Sequence, residues 1–322
     1  MEQSNITRKS QAEIVPHPPS VVHLVAESGD FWPEVHKALQ ELSGLTVSVS
    51  IGQMAQEDVS RVQCFLVAAE TEAGALTFLQ SLRGHLNWGL LPVILVMPFV
   101  PKNIESPYYD ALLISPFSTY QLKKALGEQS VILARCRRFD PLGEAFDEQA
   151  QREIQVLRFL YSRDLAEVTP QRDIESPVGY SIPWVEAFVS GDRGSSVRMM
   201  NRYAHEGLLL TDLVDQVNLC PQCGDYRLNI REVCPVCGSP DIVKEKTIQH
   251  FPCGHVAPES AFVEQESYVC PKCRKPLKHI GVDYAKPGEV VVCGHCGEVS
   301  AEPETNCLSL VCGLVVAPAA LH

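Results

Sequence analysis

Residues 220–239 read CPQCGDYRLNIREVCPVCGS, a Cys-x-x-Cys pair followed by ten residues and a second Cys-x-x-Cys pair. The same spacing returns in CPKC at 270–273 and in CGHC at 293–296. A Cys-x-x-Cys turn lets two sulfurs point at one ion, and two such turns complete a tetrahedron suited to zinc. A thiol redox motif would need one such pair beside a βαβ pattern, so four pairs in tandem indicate structural metal.

Eleven of the thirteen cysteines lie in the last third of the chain. Cys64 and Cys136 stand apart from them, and we expect both to be small buried apolar residues. The N-terminus has no apolar core of the kind that an export signal needs, and no uninterrupted apolar run reaches eighteen residues. We therefore expect a cytoplasmic protein without membrane insertion, in which thiols stay reduced and serve metal rather than disulfides.

The order of the ligands along the chain predicts three closed zinc sites. The first is expected to fold around a short hairpin, GDYRLNIREV, and to use Cys220, Cys223, Cys234 and Cys237. The last also has ten residues between its pairs and is expected to use Cys293, Cys296, Cys307 and Cys312. The middle site has only three cysteines, which are Cys253, Cys270 and Cys273. None of the three full sites keeps the open position of a catalytic zinc.

A histidine must complete the middle site. His250 in HFPCG repeats the knuckle spacing before Cys253, whereas His255 follows Cys253 after one residue, which is less usual. We favour His250 and keep His255 as the alternative, and we expect His279 to be an ordinary surface histidine. Because a ribbon of about thirty residues is too small for a core of its own, the three zinc ions are expected to stabilise the fold.

Residues 20–130 carry a different pattern. Apolar runs such as VVHLVA and PVILVM are separated by stretches with helical spacing, and five such runs fit in the segment. Continuous apolar strands between amphipathic helices predict an α/β domain, a doubly wound parallel sheet. Residues 1–19 are polar and then proline-rich, and we interpret them as a flexible leader.

This part of the chain resembles the receiver domain of two-component response regulators, which has a flavodoxin-like fold. The resemblance is carried by LPVILV, by ISPFSTYQLKKAL and by the predicted helix that ends in SLR. The resemblance implies an acidic pair after the first strand, an aspartate ending the third, a hydroxyl ending the fourth and a lysine in the fifth. Those places fall near Ala26 and Glu27, near Ala68, at Met97 and at Ser115. The phosphate acceptor and the lysine are missing, so we predict a pseudo-receiver without phosphorylation control.

Residues 141–216 contain no cysteine and are predicted to form a helical linker segment of the output module. One helix is expected to bury an apolar stripe from Phe146 to Tyr161 that includes Ala150, Ile154 and Leu157. A second helix is predicted over SSVRMMNRYAHEGLL, with Ser195 or Ser196 as its cap and Gly207 at its end. A third short helix, TDLVDQV, would lead into the first cysteine turn.

Several segments between residues 145 and 316 resemble thaumarchaeal output domain type 1. They are SPVGYSIPW, EGLLLTDLVDQVNLCPQCG, LNIREVCPVCGS, IQHFPCGHVAPESAF and CPKCRKPLKHIGVDY. This family is a predicted metal-binding module attached to receiver and other signalling domains. The resemblance implies an output or adaptor role in prokaryotic signalling, with tandem zinc ribbons over residues 217–316.

Three functions are consistent with the sequence. The leading hypothesis is a non-enzymatic signalling adaptor whose partner is another protein, or a second copy in a homodimer. A nucleic-acid-binding regulator is the alternative, through CRKPLKH with Tyr268 and Tyr284, although the net charge of −12 disfavours contact with phosphate backbones. An enzyme, such as a cross-braced zinc ligase, is least favoured. Such a ligase needs interleaved ligand pairs with a Cys-x-His-x-x-Cys centre, and CGHVAPES lacks the second cysteine of that motif.

Overall fold

Five apolar runs in the first 130 residues form the predicted parallel sheet in the computed structural model of the chain. The structure describes residues 19–27, 32–51, 61–104, 106–142, 146–189, 191–265 and 267–322. Residues 1–18 of the predicted leader lie outside these ranges. The chain divides into two units: the first holds the residues up to 176 together with 180–214, and the second holds 177–179 and 215–322.

The parallel sheet lies in the first unit. Its strands are Val21–Ala26 (β1), Thr46–Ile51 (β2), Cys64–Ala68 (β3), Val93–Met97 (β4) and Ala111–Ile114 (β5). They are ordered β2-β1-β3-β4-β5, and every neighbouring pair is parallel. The strands β3 and β4 are buried along their whole length, which is expected where helices cover both faces of a sheet.

Helices pack on both faces of this sheet. They are Trp32–Gln40 (α1), Glu72–Arg83 (α2), Thr119–Cys136 (α3), Glu148–Arg163 (α4), Pro183–Val189 (α5) and Ser195–His205 (α6). On one face, Leu66 packs in a core with Leu39 of α1 and Leu122 of α3. On the other face, Leu95 shares a core with α2 and with α4 to α6. None of the described helices combines the length and the apolar run that crossing a bilayer requires.

The helices α4 to α6 share the core of the sheet instead of forming a segment apart from it. Val156 and Phe159 of α4 and Phe188 of α5 lie in one buried cluster with Leu82 of α2 and Leu95 of β4. The predicted boundary between residues 130 and 141 therefore runs through elements that pack together. Two short strands, Gln171–Arg172 (β6) and Tyr180–Ser181 (β7), pair between α4 and α5.

Two details of the helical segment differ from the predictions. The predicted apolar stripe from Phe146 to Tyr161 is wrong, because both of these residues are exposed. The buried face of α4 carries Val156, Phe159 and Leu160 instead. The predicted third helix is also wrong: residues 211–217 have no regular secondary structure, and Leu213 is exposed. The sequence pattern alone could not identify which face of α4 the sheet would cover.

The second predicted helix is present as α6, but its cap differs. Gly194 precedes the helix without a side-chain cap, while the hydroxyl of Ser196 accepts the Ile182 N–H at 2.9 Å and is buried. Gly207 ends the segment with a φ of +77°, a left-handed conformation that glycine adopts at low cost. The serine therefore links α6 to the start of α5 rather than beginning the helix.

The second unit contains only short strands and two 3-10 turns among its described residues. Its strands are Leu228–Val233 (β8), Ile242–His250 (β9), His255–Pro258 (β10), Val263–Glu264 (β11), Ser267–Val269 (β12), Pro276–Leu277 (β13), Tyr284–Ala285 (β14), Glu289–Cys293 (β15), Val299–Ser300 (β16), Glu304–Ser309 (β17) and Val315–Val316 (β18). The 3-10 turns are Glu259–Phe262 and Pro318–Ala320. The strands of this unit form three small antiparallel sheets, with β9, β12 and β17 at the centres.

Two long-range pairings organise this unit. The strand β8 pairs with β17, and β9 pairs with β15. The predicted hairpin in GDYRLNIREV is therefore wrong, since Leu228–Val233 is a single strand whose partner lies about seventy residues further along the chain. These pairings decide which cysteine turns meet.

Candidate metal centre

Six turns of one geometry supply the candidate ligands. In each turn, the residue four positions after the first ligand position donates its N–H to the carbonyl oxygen of that first residue at 2.8 to 3.0 Å. The six first positions are Cys220, Cys234, His250, Cys270, Cys293 and Ser309. The donating residue has a φ between +59° and +76° in every turn; it is glycine in five turns and Arg274 in the sixth.

This geometry directs backbone amides at the first sulfur of a turn. The N–H of Cys296 lies 3.5 Å from the Cys293 sulfur, and this donation lowers the pKa of Cys293 to about 6. The N–H of Cys223 acts in the same way on Cys220 and lowers its pKa to about 7. Because the thiolate is the form that binds metal, these two turns favour that form at their first sulfur.

The first group joins the turn at Cys234 to the turn at Cys293. Its members are Cys234, Cys237, Cys293 and Cys296. The sulfurs of Cys234 and Cys296 are 3.7 Å apart, and those of Cys237 and Cys293 are 3.6 Å apart. A zinc–sulfur bond of about 2.3 Å gives a tetrahedral S···S edge of about 3.8 Å, so these distances are consistent with zinc.

The second group joins the turn at His250 to the turn at Cys270. Its members are His250, Cys253, Cys270 and Cys273. The Nδ1 atom of His250 lies 3.1 Å from the Cys253 sulfur and 3.4 Å from the Cys273 sulfur. The structure brings His250, and not His255, to the three cysteines; the His255 ring lies against Phe262 instead.

The third group contains only three cysteines, Cys220, Cys223 and Cys312. The sulfurs of Cys220 and Cys312 are 3.6 Å apart. Cys307, which was predicted to be a ligand, lies outside all three groups, on β17, and is fully buried. The hydroxyl of Ser309 lies 3.5 Å from the Cys223 sulfur, in the place where the other turns put their first ligand.

The predicted pairing of adjacent turns is wrong for the two outer sites. An extended six-residue strand spans roughly 20 Å, so β8 separates the turn at Cys220 from the turn at Cys234. The register of β8 with β17 places Ser309 opposite Leu228, close to the turn at Cys220. The register of β9 with β15 places Cys293 opposite Ile242, close to the turn at Cys234.

Sequence reasoning missed Ser309, although a signal was present. The segment SLVCG at residues 309–313 has the spacing of CPQCG and CPVCG, with serine in the first ligand position. Reading the final turn as Cys307 to Cys312 required a wider spacing that no other turn in the chain uses. The glycine that follows the second cysteine marks the true register of the turn.

The model of Thaumarchaeal output domain 1 matches residues 144–322, more than half of the chain. The chain belongs to the thaumarchaeal output domain 1 family. The family match includes all six turns and also α4, α5 and α6, so the output domain comprises helices that pack on the parallel sheet. No curated protein matches the sequence.

The output domain thus offers three groups of side chains that could hold metal ions. Two of them present four protein ligands each, and the third presents three sulfurs and a neighbouring hydroxyl. Few apolar side chains support these groups: the buried cluster beside the second group consists of Ile248, Phe262, Cys270, Leu277 and Tyr284. A cluster this small gives bound metal a large share in holding the strands together.

Proposed function

We propose that the chain is a non-enzymatic signalling output protein of the adaptor type. Its output domain is held by zinc, and its parallel sheet is a pseudo-receiver that binds another protein without control by phosphorylation. The family match supports the signalling role. The strand order β2-β1-β3-β4-β5 is that of flavodoxin-like folds, the class to which receivers belong.

One contact carries the pseudo-receiver proposal. Glu27 follows β1, and its carboxylate accepts the N–H groups of Glu70 and Thr71 at 2.7 and 3.0 Å and the Thr71 hydroxyl at 2.7 Å. Burial raises the pKa of Glu27, but these donors outweigh burial and lower it below its usual value. The start of α2, where backbone amides could bind an anion, is therefore occupied by an acid of the chain itself.

The approach of this carboxylate to α2 is close. A Cβ atom at Gly74 would overlap the Glu27 carboxylate, so a side chain at this position would displace that carboxylate from α2. Among the strand ends at this edge of the sheet, β3 ends at the buried Ala68 and β4 at Met97, neither of which can accept a phosphoryl group. Both observations support a fold kept for binding after loss of phosphate chemistry.

Chemical phosphodonors are expected to leave the full chain unmodified. Acetyl phosphate should add no phosphoryl group, because Ala68 and Ser115 stand where the acceptor and the lysine would be. Intact-mass spectrometry checks this result, with a conventional response regulator treated in the same reaction as a control. A stoichiometric phosphoryl group within residues 20–130 that alkali or hydroxylamine removes, as it does from an acyl phosphate, would contradict the pseudo-receiver.

The closed ligand sets support a structural role for zinc. Two of the three groups have four protein ligands, which leaves no coordination position for a substrate or a reactive water. The nucleic-acid alternative has less support, because Tyr284 is buried and packs edge-on against Tyr268 at 5.9 Å. The Tyr268 hydroxyl donates to Glu259, which also binds Lys286, so neither ring is presented for stacking on bases.

A protein partner is expected to depend on the intact output domain. The tagged full chain, expressed in its native host, should capture a protein that a variant with Cys237→Ser and Cys296→Ser does not capture. The interaction is then rebuilt from purified components and its Kd measured. Resistance of the capture to nuclease supports a protein partner. Loss of capture with nuclease, together with strongly salt-dependent binding of DNA or RNA, would favour the nucleic-acid function instead.

A further inference from the structure

We propose that the metal ion of the third group is bound by three thiolates and keeps a fourth position, beside Ser309, that an outside thiolate can take. The three thiolates are those of Cys220, Cys223 and Cys312. This inference rests on the proposed metal content of the output domain and adds an exchangeable site to it. The other two groups are closed by four side chains each.

Ser309 begins a turn that is built like those of the ligand cysteines. Its N–H donates to the Leu314 carbonyl oxygen at 2.9 Å, as the N–H of Cys220 donates to Asp225 at 3.0 Å. Gly313 donates to the Ser309 carbonyl oxygen at 3.0 Å and has a φ of +76°. The backbone thus presents residue 309 as a first ligand, and only the side chain differs.

The Ser309 hydroxyl occupies the place of a sulfur. It accepts the N–H of Val311 at 3.4 Å and that of Cys312 at 3.3 Å, as the Cys293 sulfur accepts the N–H of Cys296 at 3.5 Å. Ser309 is 1% exposed, and the two main-chain N–H donors hold its oxygen in place. Its oxygen lies 3.5 Å from the Cys223 sulfur, within the edge length of a metal tetrahedron.

The Ser309 hydroxyl oxygen determines how readily an outside ligand can take the fourth position of the metal ion. A neutral hydroxyl is a weaker ligand for a soft, thiolate-bound cation than a fourth thiolate. Two backbone amides already use its lone pairs, and the C–O bond is shorter than the C–S bond of cysteine. Cys223 is exposed, so the group is open to solvent on one side. A thiolate from outside can therefore complete the tetrahedron that the other turns close themselves.

Cobalt substitution tests the proposal on the full chain. Co²⁺ replaces zinc, and 2-mercaptoethanol is titrated while the thiolate-to-cobalt charge-transfer band is recorded. The three groups contain ten cysteines, so one added thiolate should raise the band of the wild-type chain by roughly one-tenth. Ser309→Cys should begin with this additional intensity and should not respond to the thiol. Ser309→Ala should respond as the wild type does.

Metal release gives a second readout. A chelator should remove one of the three ions about tenfold faster than the other two from the wild-type chain, and Ser309→Cys should abolish this fast phase. Cys307→Ser is the matched control, because Cys307 lies two residues away and outside every group. It should keep both the fast phase and the thiol response.

The possible failures are distinguishable. A chain that binds no Co²⁺ overturns both the proposed metal content and this inference. Three bound ions with a silent thiol titration overturn only the inference, as does an equal response in Ser309→Cys. Loss of one thiolate contribution in Cys307→Ser would assign the fourth ligand to Cys307 and would also overturn it.

Discussion

A chain with Cys237→Ser and Cys296→Ser is expected to lose the structure of β9 and β15 while its parallel-sheet unit keeps its own thermal transition. The two substitutions remove half of a four-sulfur group that joins turns 56 residues apart in the chain. Structural zinc can contribute on the order of 10 kcal/mol to the folding of a small domain. The only buried apolar cluster described in this unit is a small one, which cannot replace such a contribution.

The choice of residues excludes a packing explanation. Both Cys237 and Cys296 are exposed, so replacing sulfur with oxygen creates no core cavity at either position. Cys307→Ser is the control, since it alters a fully buried cysteine that lies outside the groups. It should cost about 1–3 kcal/mol through an added polar group and leave the metal content unchanged.

Hydrogen exchange read by mass spectrometry on the full chain, with and without chelator, locates the effect. Peptides from β9 and β15 should lose protection in the double variant and in the chelated wild type, and peptides from β1, β3 and β4 should not. Retention of metal and protection in the double variant would show that these sulfurs hold no structural ion. Equal loss of protection in both sets of strands would show that the two units unfold together.

The parallel sheet could be predicted from the sequence because its signal is local. Strands such as VILVM are apolar throughout, and that pattern depends only on burial of both faces, whatever the rest of the chain does. The six turns are equally local: their spacing fixes their shape, with glycine after the second ligand in five turns and Arg274 in the sixth, although the last turn was predicted in the wrong register. The middle group was predictable because no other cysteine lies between its two turns, although the sixteen residues that separate them outnumber the ten between the turns at Cys220 and Cys234.

The membership of the outer groups could not be predicted in this way. It depends on β8 pairing with β17 and on β9 pairing with β15, across distances in sequence that leave no periodic signal. The face of α4 was missed for a related reason. Arg163 of that helix pairs with a buried carboxylate of another element and lies over the Phe159 ring, so a charged residue lies on the buried side of the helix.

That carboxylate belongs to Asp110, which immediately precedes β5, and it is the centre of a buried ion cluster. Its oxygens contact Arg163 Nε at 2.8 Å and an Arg83 nitrogen at 3.2 Å, and they accept the Val93 N–H at 2.8 Å. Both guanidinium groups also lie over the Phe159 ring, at 4.7 Å for Arg83 and 4.1 Å for Arg163. The cluster joins α2 and the sheet to α4 inside one core.

Asp110→Asn is expected to destabilise the first unit by about 3–5 kcal/mol, because it leaves two buried guanidinium groups without their counter-ion. Burial alone would raise the pKa of Asp110, but Arg163 and then Arg83 lower it below 3.8, its ordinary value. A carboxyl whose pKa is lower in the folded chain adds stability above the unfolded value and loses it as the pH falls through the folded value. The difference between wild type and variant should therefore be constant at neutral pH and shrink below about pH 4.

Urea unfolding of the metal-loaded full chain measures this effect, since all three tryptophans, Trp32, Trp88 and Trp184, lie in the first unit and report on it. Asp164→Asn is the matched control: it also removes an acid that pairs with an arginine, but its side chain is 85% exposed, so the cost should stay below about 1 kcal/mol.

Hydrogen exchange of the Asp110→Asn variant shows which elements the ion cluster holds together. Arg83 and Asp110 precede the family match and Arg163 lies within it, so this ion cluster links the sheet to the output domain's own helices. If Asp110→Asn frees α4 to exchange while β3 and β4 stay protected, the cluster fastens the output domain to the sheet. If α4 and the sheet lose protection together, they fold as one unit, and the sheet is an integral part of the output module's fold. A cost of less than about 1 kcal/mol would show that the cluster does neither.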